Sequence, residues 1–410
     1  MTNRALHGVV GLIVYGLVGA AVARADAVLD WNAIMLSTMA TQNPFAQARF
    51  AAITETAVFE AVNAITGDDD PYLGTVTAPA GASADAAAVA AAHDVLKNYF
   101  PASAASLDAA EASSLGAIRD GQAKDDGVAV GEAAAAAMIA DRTNDGSAPP
   151  QFYTPTSTDP GQWQLTPGCT AGIFLHWQDL KPFGVLRTDQ FRPGPPPALT
   201  SGLYTNVYDE VKTVGAIDSA VRAQDRTDVA RFFAVASAPY VWNEVARQVS
   251  AAEQRSLSEN ARIFALLNMA VSDGLASVME AKYHYVYWRP VTAIRAGDTD
   301  GNPRTDPDFT WSPLITTPCF PSYPSAHAVA SYAARKVAEK TLGSGPIDVT
   351  LSHPGVPDVT LHYTRFSRIT DDIDDARVFG GIHFRTDQDV GGQQGRCIGR
   401  YVYHHNLRPR

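Results

Sequence analysis

Phe320-Pro321-Ser322-Tyr323-Pro324-Ser325-Ala326-His327 is the stretch that decides the fold of this chain. Two prolines punctuate it, and the apolar, alanine-rich run 328–342 that follows is typical of a helix. Because proline fixes φ and is tolerated at or before a helix start, we expect Ser325, Ala326 and His327 in the first helical turn. The free N–H groups and the positive end of the helix dipole attract an anion there. The stretch therefore predicts an oxyanion site with an acid–base group beside it.

Two flanking segments supply the other residues that such a site needs. Upstream stands Lys282, followed after six residues by Arg289-Pro290, and downstream stands Arg377, followed after five residues by His383. Fixed cations neutralise the outer oxygens of a tetrahedral or trigonal-bipyramidal oxyanion. One histidine can bond the central atom while the other moves protons. The three segments together predict a site at which chemistry occurs on the central atom of an oxyanion.

The order Lys-x6-Arg-Pro, Pro-Ser-x-His and Arg-x5-His resembles the superfamily of vanadium-dependent haloperoxidases and type-2 phosphatidic acid phosphatases. The motifs cover roughly residues 257–395, and a weaker likeness reaches the stretch Val28-Leu29-Asp30-Trp31-Asn32. The family usually has glycine where Ala326 stands, but alanine still supplies the backbone N–H, and its Cβ is harmless where φ is negative. The resemblance implies an all-α fold of the haloperoxidase and acid phosphatase type. In that fold a four-helix bundle holds the site, flanked by N-terminal helices and long irregular loops.

The resemblance also gives each motif residue a role. In the haloperoxidase interpretation the cofactor is vanadate, and His383 bonds its vanadium. The oxygens of vanadate would be held by Lys282, Arg289, Ser325, the backbone N–H of Ala326, and Arg377. Hydrogen peroxide, a halide and a small organic molecule are the expected substrates, and His327 assists proton transfer.

Two alternatives use the same residues. In a secreted acid phosphatase, phosphate competes for the place of vanadate, and His383 attacks the phosphorus of a phosphate ester to form a phosphohistidine. His327 then protonates the leaving alcohol, and the same cations stabilise the transition state. A non-catalytic oxyanion-binding protein is a third hypothesis.

Three features favour the haloperoxidase interpretation. The Trp288-Arg289-Pro290-Val291 context and the run Gly381-Ile382-His383-Phe384-Arg385-x-Asp387 are both similar to haloperoxidases. Phe320, five residues before Ser325, is similar to the aromatic residue of chloroperoxidases, so we expect Phe320 and Trp288 to border a halide pocket. Position 376 is alanine where the phosphatase pattern often has serine, which weakens the phosphatase alternative.

Asp387 and Asp389 follow His383 closely and have two possible roles. A carboxylate at this distance can orient a site histidine or a cation. The alternative is a favourable negative charge at the start of the last helix.

Composition limits the class of protein. The chain has 410 residues, of which 46% are hydrophobic and 18% are charged, and its net charge is −11. This is enough apolar sequence for a sizeable core and argues against extended disorder. An acidic surface also argues against nucleic-acid binding.

The first 25 residues predict a secretory signal peptide. Arg4 supplies the positive start, residues 9–22 are apolar, and Ala23-Arg24-Ala25 is a cleavage pattern. A membrane anchor is the alternative, but the apolar run is short for a span of about 20 residues. We therefore expect an exported chain, periplasmic or secreted, that is free of the membrane after cleavage. In an oxidising compartment its three cysteines allow at most one internal disulfide.

Periodicity predicts an all-α chain over residues 26–410, with N-terminal helices in 26–145 and an irregular crossing in 146–200. The family resemblance implies that these residues form one domain and that 201–410 is its catalytic bundle. The irregular crossing is rich in proline and glycine, and loops of that length are often packed over a site. A short β-like patch is expected in 347–365 and an irregular stretch in 291–319. Besides the helix after His327, the predicted helices are 28–41, 46–65, 82–99, 104–119, 122–143, 201–213, 217–239, 241–253, 257–280, 370–382 and 387–404.

Overall fold

A computed structural model describes residues 26–410, and the predicted signal peptide, 1–25, lies outside the described residues. Over that range the chain forms thirteen α-helices, two short 3-10 helices and one two-stranded sheet. The all-α fold class is thus confirmed. In chain order the α-helices are α1 Ala27–Thr38, α2 Pro44–Thr66, α3 Ala84–Tyr99, α4 Ala104–Gly116, α5 Gln122–Asp141, α6 Gly202–Val214, α7 Gln224–Val235, α8 Ala238–Glu253, α9 Leu257–Tyr285, α10 Pro290–Arg295, α11 Ala326–Thr341, α12 Phe366–Phe379 and α13 Arg385–His405.

Local sequence accounts for several helix starts. Asn43 caps α2 ahead of Pro44, and Ser256 forms a capping box with Glu259 at the start of α9. Ser325 caps α11, so Ala326 and His327 occupy its first turn, as the prolines predicted. The β-like patch is an antiparallel hairpin of β1 Val349–Ser352 and β2 Thr360–Tyr363.

Several predicted boundaries were wrong, among them the end of α9, which is Tyr285 rather than 280. The helix expected over 217–239 is only Gln224–Val235, because Ser237 caps a new helix with Pro239 in its first turn. The stretch expected to be irregular, 291–319, opens with the short helix α10, which Pro290 starts. Helix α12 starts at Phe366 rather than 370 and ends at Phe379 rather than 382, because Gly381 takes a positive φ of 78°.

Helix α9 lies at the centre of the molecule and packs against α2, α8, α11 and α13. Within residues 26–410 it is the one helix long and apolar enough to cross a membrane, by length and composition alone. In its most apolar 18-residue window, 94% of the residues are buried inside the protein. Packing in the core therefore accounts for its apolar character.

Helices α11 and α13 approach each other through a glycine seam, formed by Gly391, Gly395 and Gly399 on α13. A Cβ added at Gly395 would lie 2.3 Å from the carbonyl oxygen of Val329, and one at Gly399 would lie 2.3 Å from that of Ala333. Only glycine permits backbones this close. The seam brings together the two helices whose first turns border the site.

The irregular crossing, 146–200, runs over the motif segments. Its backbone pairs with Tyr287 through Gln162, and the N–H of Ile173 donates to the carbonyl oxygen of Cys319 at 2.9 Å. A disulfide joins Cys169 in the crossing to Cys319, one residue before Phe320. The crossing thus fixes the chain on either side of the candidate site.

Candidate functional site

The three sequence motifs meet at one place between the helices. Lys282 lies in the last turn of α9, Arg289 precedes α10, Ser325 caps α11, Arg377 ends α12, and His383 stands just before α13. All five side chains are buried. We call Lys282, Arg289, Ser325, Ala326 and Arg377 the cage, with His383 at its floor.

Carbonyl groups of the segment 320–322 hold two of the cage cations. Lys282 Nζ donates to the carbonyl oxygens of Pro321 at 2.8 Å and Ser322 at 2.6 Å. Arg289 Nε donates to that of Phe320 at 2.9 Å. The ring of Phe320 also lies beneath both cations, 5.1 Å from Lys282 Nζ and 5.0 Å from the guanidinium carbon of Arg289. The segment just before the second motif therefore fixes the position of the two cations of the first motif.

Two fully buried guanidinium nitrogens in the cage lack a hydrogen-bond acceptor among the described residues. Arg377 Nη1 donates to the carbonyl oxygen of Phe233 at 2.8 Å, and Arg289 Nη1 to that of Ile382 at 2.8 Å. Arg289 Nη2 and Arg377 Nε are buried and have no hydrogen-bond acceptor among residues 26–410. An unsatisfied buried donor on a charged group is costly, so this arrangement is suited to an anion.

Electrostatics support the same conclusion. Burial lowers the pKa of Lys282 well below its usual value, and the neighbouring Arg289 lowers it further. Burial also lowers the pKa of Arg289 to about 9 and that of Arg377 to about 10. An oxyanion between these groups would favour their charged forms and reverse the shifts.

His383 has a defined tautomer. Arg289 Nη1 lies 3.0 Å from Nε2 of His383, and because arginine only donates, Nε2 must be an acceptor. The proton is then on Nδ1, which lies 2.8 Å from Oδ2 of Asp387. Burial lowers the pKa of His383 well below its usual value, and Arg289 and Lys282 add to this. His383 is therefore a neutral imidazole whose Nε2 lone pair faces the cage, as a metal ligand or nucleophile requires.

Asp387 orients this histidine and also caps α13. Its Oδ2 accepts from His383 Nδ1, from the Ser322 hydroxyl at 2.6 Å and from the backbone N–H of Phe384 at 3.2 Å. Burial raises its pKa to about 6, although the Ser322 bond and the cations Lys282 and Arg289 oppose this rise. Both roles considered for Asp387 thus apply, whereas Asp389 is exposed on α13.

His327 stands on the cavity side of the cage. It is half-buried in the first turn of α11, and its ring makes no hydrogen bond to the part of the chain that the structure describes. Burial lowers its pKa well below the usual value, and Arg377, Lys282 and Arg289 lower it further. A neutral histidine in this position can accept a proton from a group in the cavity.

The polar groups of the second motif remain available to an anion. The Ser325 hydroxyl accepts from the backbone N–H of Ala328 at 3.5 Å, which leaves its own proton to donate. Ala326 is the first residue of α11 and has no positive φ, so its Cβ costs nothing here. Its N–H is one of those that a helix start leaves without an intrahelical partner.

A largely apolar cavity of about 520 Å³ adjoins the cage at Ala326, His327 and Arg377. Three aromatic rings in its wall lie close together. The ring centroid of Phe45 is 4.5 Å from that of Phe174 and 6.2 Å from that of Phe320. The remaining wall residues come from α2, α7, α8, α9 and the segments around 173 and 315–319: Pro44, Ile173, Ala234, Ala238, Pro239, Leu275, Ile315, Thr316, Thr317, Pro318 and Cys319.

Of the two aromatic residues expected to border a halide pocket, Phe320 borders the cavity and Trp288 does not. Phe320 lies between the cage cations and the cavity. Trp288 lies elsewhere, in a second core cluster where its ring stacks on Tyr204 with 6.5 Å between centroids. Its backbone N–H pairs with Gly161 of the irregular crossing, which turns the side chain into that cluster. The expectation that Trp288 borders the pocket is thereby corrected.

Ser322 is a site residue that the sequence reasoning missed. It stood within the quoted stretch, but no spacing rule distinguished its hydroxyl from any other serine. The fold alone brings its hydroxyl to the start of α13, 2.6 Å from Oδ2 of Asp387.

Comparison with known proteins shows which family the site segment resembles. Residues 262–409, which contain every motif residue, match the family model described as the VCPO second helical-bundle domain. These residues are therefore similar to that helical bundle. The vanadium chloroperoxidase of Curvularia inaequalis is 24% identical over 174 residues, a match that spans 35% of this chain and 28% of that enzyme. The resemblance to the vanadium-dependent haloperoxidases is therefore confirmed.

Solved structures of bacterial vanadium haloperoxidases share the fold over most of their length. A structure titled as the first bacterial vanadium-dependent iodoperoxidase has a TM-score of 0.79 at 24% identity, covering 94% of this chain and 96% of that one. The apo form of a bacterial vanadium-dependent chloroperoxidase has a TM-score of 0.74 at 17% identity, covering 88% and 92% respectively. At these identities the likeness shows a common fold.

Proposed function

We propose that this protein is a vanadium-dependent haloperoxidase that oxidises halide with hydrogen peroxide at a vanadate bound to His383. One observation carries the proposal: His383 presents a neutral Nε2 lone pair within a cage of three buried cations. A lone pair among cations is the arrangement that binds the central atom of an oxyanion while its oxygens are neutralised.

The residues present fit vanadate. The unpaired donors Arg289 Nη2 and Arg377 Nε, the third proton of Lys282, the Ser325 hydroxyl and the Ala326 N–H would hold its oxygens. For His383 to bond vanadium, its Nε2 would exchange Arg289 for the metal, while Nδ1 keeps its bond to Asp387. Bound vanadate would supply a Lewis acid that activates peroxide towards a halide without changing oxidation state.

His327 would handle the protons of the reaction. Reduction of one hydrogen peroxide by one halide consumes a proton and yields water and hypohalous acid. His327 faces the cavity with a lowered pKa, so it can accept a proton from incoming peroxide and return it to a departing oxygen. The buried cations of the cage remain fixed in place during this transfer, so little reorganisation is needed.

The cavity would receive the other substrates. Its volume of about 520 Å³ lies within the range of small-molecule sites, and its apolar wall suits a small organic molecule that takes the oxidised halogen. Halide would reach the cage past Phe320. The whole chain has a net charge of −11, so we propose no nucleic-acid partner.

We further propose that the mature chain is exported to the periplasm or beyond and stays free of the membrane. The signal-peptide pattern of residues 1–25 supports this, and so does the Cys169–Cys319 disulfide, because such bonds persist in oxidising compartments. Cell fractionation would test this localisation: recovery of the intact chain in the cytosol would contradict it.

Paired assays on the purified protein test the catalytic proposal. One sample is stripped with chelator and one is loaded with orthovanadate. Each is assayed for peroxide-dependent halogenation of a phenol-type dye with chloride, bromide or iodide, and for hydrolysis of an aryl phosphate. We expect halogenation only with vanadate, its loss in His383→Ala, and full activity in the control His362→Ala, which changes an exposed histidine paired with Asp348.

The alternatives give different results in the same assays. Hydrolysis without vanadate, and its inhibition when vanadate is added, would overturn the proposal in favour of an acid phosphatase, since the lone pair of His383 can also attack phosphorus. If neither halogenation nor hydrolysis is detected while vanadate or phosphate still binds, the protein is an oxyanion-binding protein without catalysis.

A further inference from the structure

We propose that Ser322 is a positioning residue that fixes Asp387 and, through it, the tautomer of His383. The inference rests on the proposed function only in taking His383 as the residue that bonds the oxyanion. It concerns how the lone pair of that histidine is kept facing the cage.

Ser322 is fully buried and its backbone is held at both ends. Its N–H donates to the carbonyl oxygen of Tyr287 at 2.9 Å, and its own carbonyl oxygen accepts from Lys282 Nζ at 2.6 Å. Such a backbone leaves the hydroxyl only a choice of rotamer. The residue is therefore a fixed point from which another side chain can be aligned.

Two acceptors compete for the Ser322 hydroxyl, and the distances decide between them. Oγ lies 2.6 Å from Oδ2 of Asp387 and 3.3 Å from Nδ1 of His383. The first distance is that of a strong, charge-assisted O–H···O⁻ bond, and the second exceeds the usual range. Donation to Nδ1 would also require that nitrogen to lack its proton, which is the wrong tautomer. The hydroxyl is therefore committed to the carboxylate.

The hydrogen bond from Ser322 helps to fix the orientation of the Asp387 carboxylate. Oδ2 of Asp387 receives the Ser322 hydroxyl, His383 Nδ1 and the Phe384 N–H, while Oδ1 is buried without a partner in the described residues. The His383 and Phe384 donors both come from the turn that carries His383 itself. Among residues 26–410, Ser322 is the one hydrogen-bond donor to this carboxylate from outside that turn, so it fixes Asp387 relative to the cage.

Ser322 thereby joins the first motif to the third. Its carbonyl oxygen holds Lys282, and its hydroxyl holds the carboxylate behind His383. Ser322→Ala removes the second link and keeps the first, so the substitution isolates the role of the hydroxyl.

The test compares four forms of the full chain: the parent, Ser322→Ala, Ser322→Thr, which keeps a hydroxyl, and Ser331→Ala. Ser331 is a fully buried serine of α11 whose hydroxyl has no partner within the described chain, so it controls for loss of a buried hydroxyl. Orthovanadate affinity is measured by calorimetry. The tautomer of His383 is read from imidazole 15N chemical shifts, assigned by the signal that His383→Ala removes.

We expect Ser322→Ala to weaken vanadate binding about 10–100-fold, as loss of an outer partner of a metal ligand does. We also expect a mixed tautomer signal for His383, with restoration in Ser322→Thr and no change in Ser331→Ala. Unchanged affinity with a pure Nδ1–H signal in Ser322→Ala would overturn the proposal, and so would an equal loss in Ser331→Ala.

These readouts are separable from the proposed function. Neither measurement uses peroxide or halide, so a parent protein that binds vanadate without halogenating would refute the enzyme proposal and leave the role of Ser322 intact. If the parent fails to bind vanadate, the tautomer signal in the ligand-free chain still decides, because His383 and Asp387 contact each other without an anion.

Discussion

His327 and His383 differ in what surrounds them, although both are neutral. His383 is bonded on both nitrogens, by Arg289 and by Asp387, whereas His327 faces the cavity. A histidine locked by two partners suits a ligand, and one open to solvent on its cavity side suits proton transfer. Substitution of the two histidines should therefore affect different quantities: vanadate affinity for His383 and the rate of turnover for His327.

We expect His327→Ala to keep vanadate affinity within about threefold and to lower kcat by about 10²–10⁴, the usual contribution of an acid–base group. Vanadate calorimetry and steady-state halogenation measure the two quantities separately. A loss of affinity as large as the loss of rate would instead make His327 part of the cage.

Glu55 is a second residue whose environment sets its charge. It is buried, accepts from Asn32 at 2.8 Å, and belongs to a chain of amides that continues to Asn243 and Asn268. Burial raises its pKa from 4.5 to about 8, although the Asn32 bond lowers it in part. Because the folded pKa exceeds the unfolded one, the protonated group stabilises the fold fully below about pH 4.5, and this contribution is lost as pH rises through about 8.

Glu55→Gln should therefore flatten the fall in unfolding free energy between pH 5 and pH 8, on the order of a few kcal/mol. Denaturant melts at several pH values measure this. Glu132→Gln, which changes an exposed glutamate on α5, should leave the parent profile intact. If the parent shows no such fall, Glu55 is ionised within the fold.

At the scale of elements, the contact between α11 and α13 matters most for the site. Ser325 caps α11 and Asp387 lies in the first turn of α13, and the N–H of Ser325 donates to the carbonyl oxygen of Asp387 at 3.0 Å. The glycine seam keeps the two helices close enough for that bond. A side chain within the seam should thus loosen both the fold and the cage.

Gly395→Ala should lower the unfolding free energy by about 1–3 kcal/mol, because its Cβ would meet a backbone oxygen that cannot move aside. Gly116→Ala, at the end of α4 with nothing within 4 Å of the new Cβ, should be neutral or slightly stabilising. Thermal and denaturant melts of both variants decide this. A neutral Gly395→Ala would mean that α13 shifts along α11 without cost.

The sequence could place the helices because they follow local rules: apolar period and capping residues predicted most of them within a few residues. The cage is not local, and the order of three motifs with its resemblance to a known family predicted Lys282, Arg289, Arg377 and His383 at one site. Sequence reasoning failed where the deciding residue was a neighbour in space. Trp288 follows the irregular crossing into a different cluster, and Ser322 reaches Asp387 across 65 residues of chain.

The cavity lay beyond sequence reasoning for the same reason. Its walls come from segments between Pro44 and Arg377, and no single segment contains a recognisable pocket pattern. The disulfide pairing could not be predicted either. The sequence allowed at most one disulfide among three cysteines, and the path of the crossing, 146–200, brings Cys169 to Cys319.

At the scale of the whole molecule, this disulfide joins parts of the chain that are 150 residues apart. It also supports the cavity wall at Phe174, which has a positive φ of 64°. The residue before it, Ile173, donates its backbone N–H to the carbonyl oxygen of Cys319, which is one of the two bonded cysteines. A phenylalanine in that conformation costs about 1–3 kcal/mol and persists only where its surroundings hold it.

Cys169→Ser should lower the unfolding free energy by about 2–5 kcal/mol, the usual effect of losing a native disulfide. It should also raise the KM for an organic acceptor more than it lowers kcat, because the wall around Phe174 loosens while the cage stays intact. Cys397→Ser, at the exposed free cysteine, is the control and should change neither quantity. A loss of kcat alone would place the effect of the disulfide in the cage.

The disulfide also bears on how the protein can be prepared. A chain recovered from a reducing cytosol would carry Cys169, Cys319 and Cys397 as thiols, and Cys319 lines the cavity. Peroxide converts reactive thiols stepwise to sulfenic, sulfinic and sulfonic acids. Under the proposed function, such material would consume the peroxide of the assay and carry new negative charge beside the cavity, so weak turnover would reflect sulfur damage rather than a poor vanadate site.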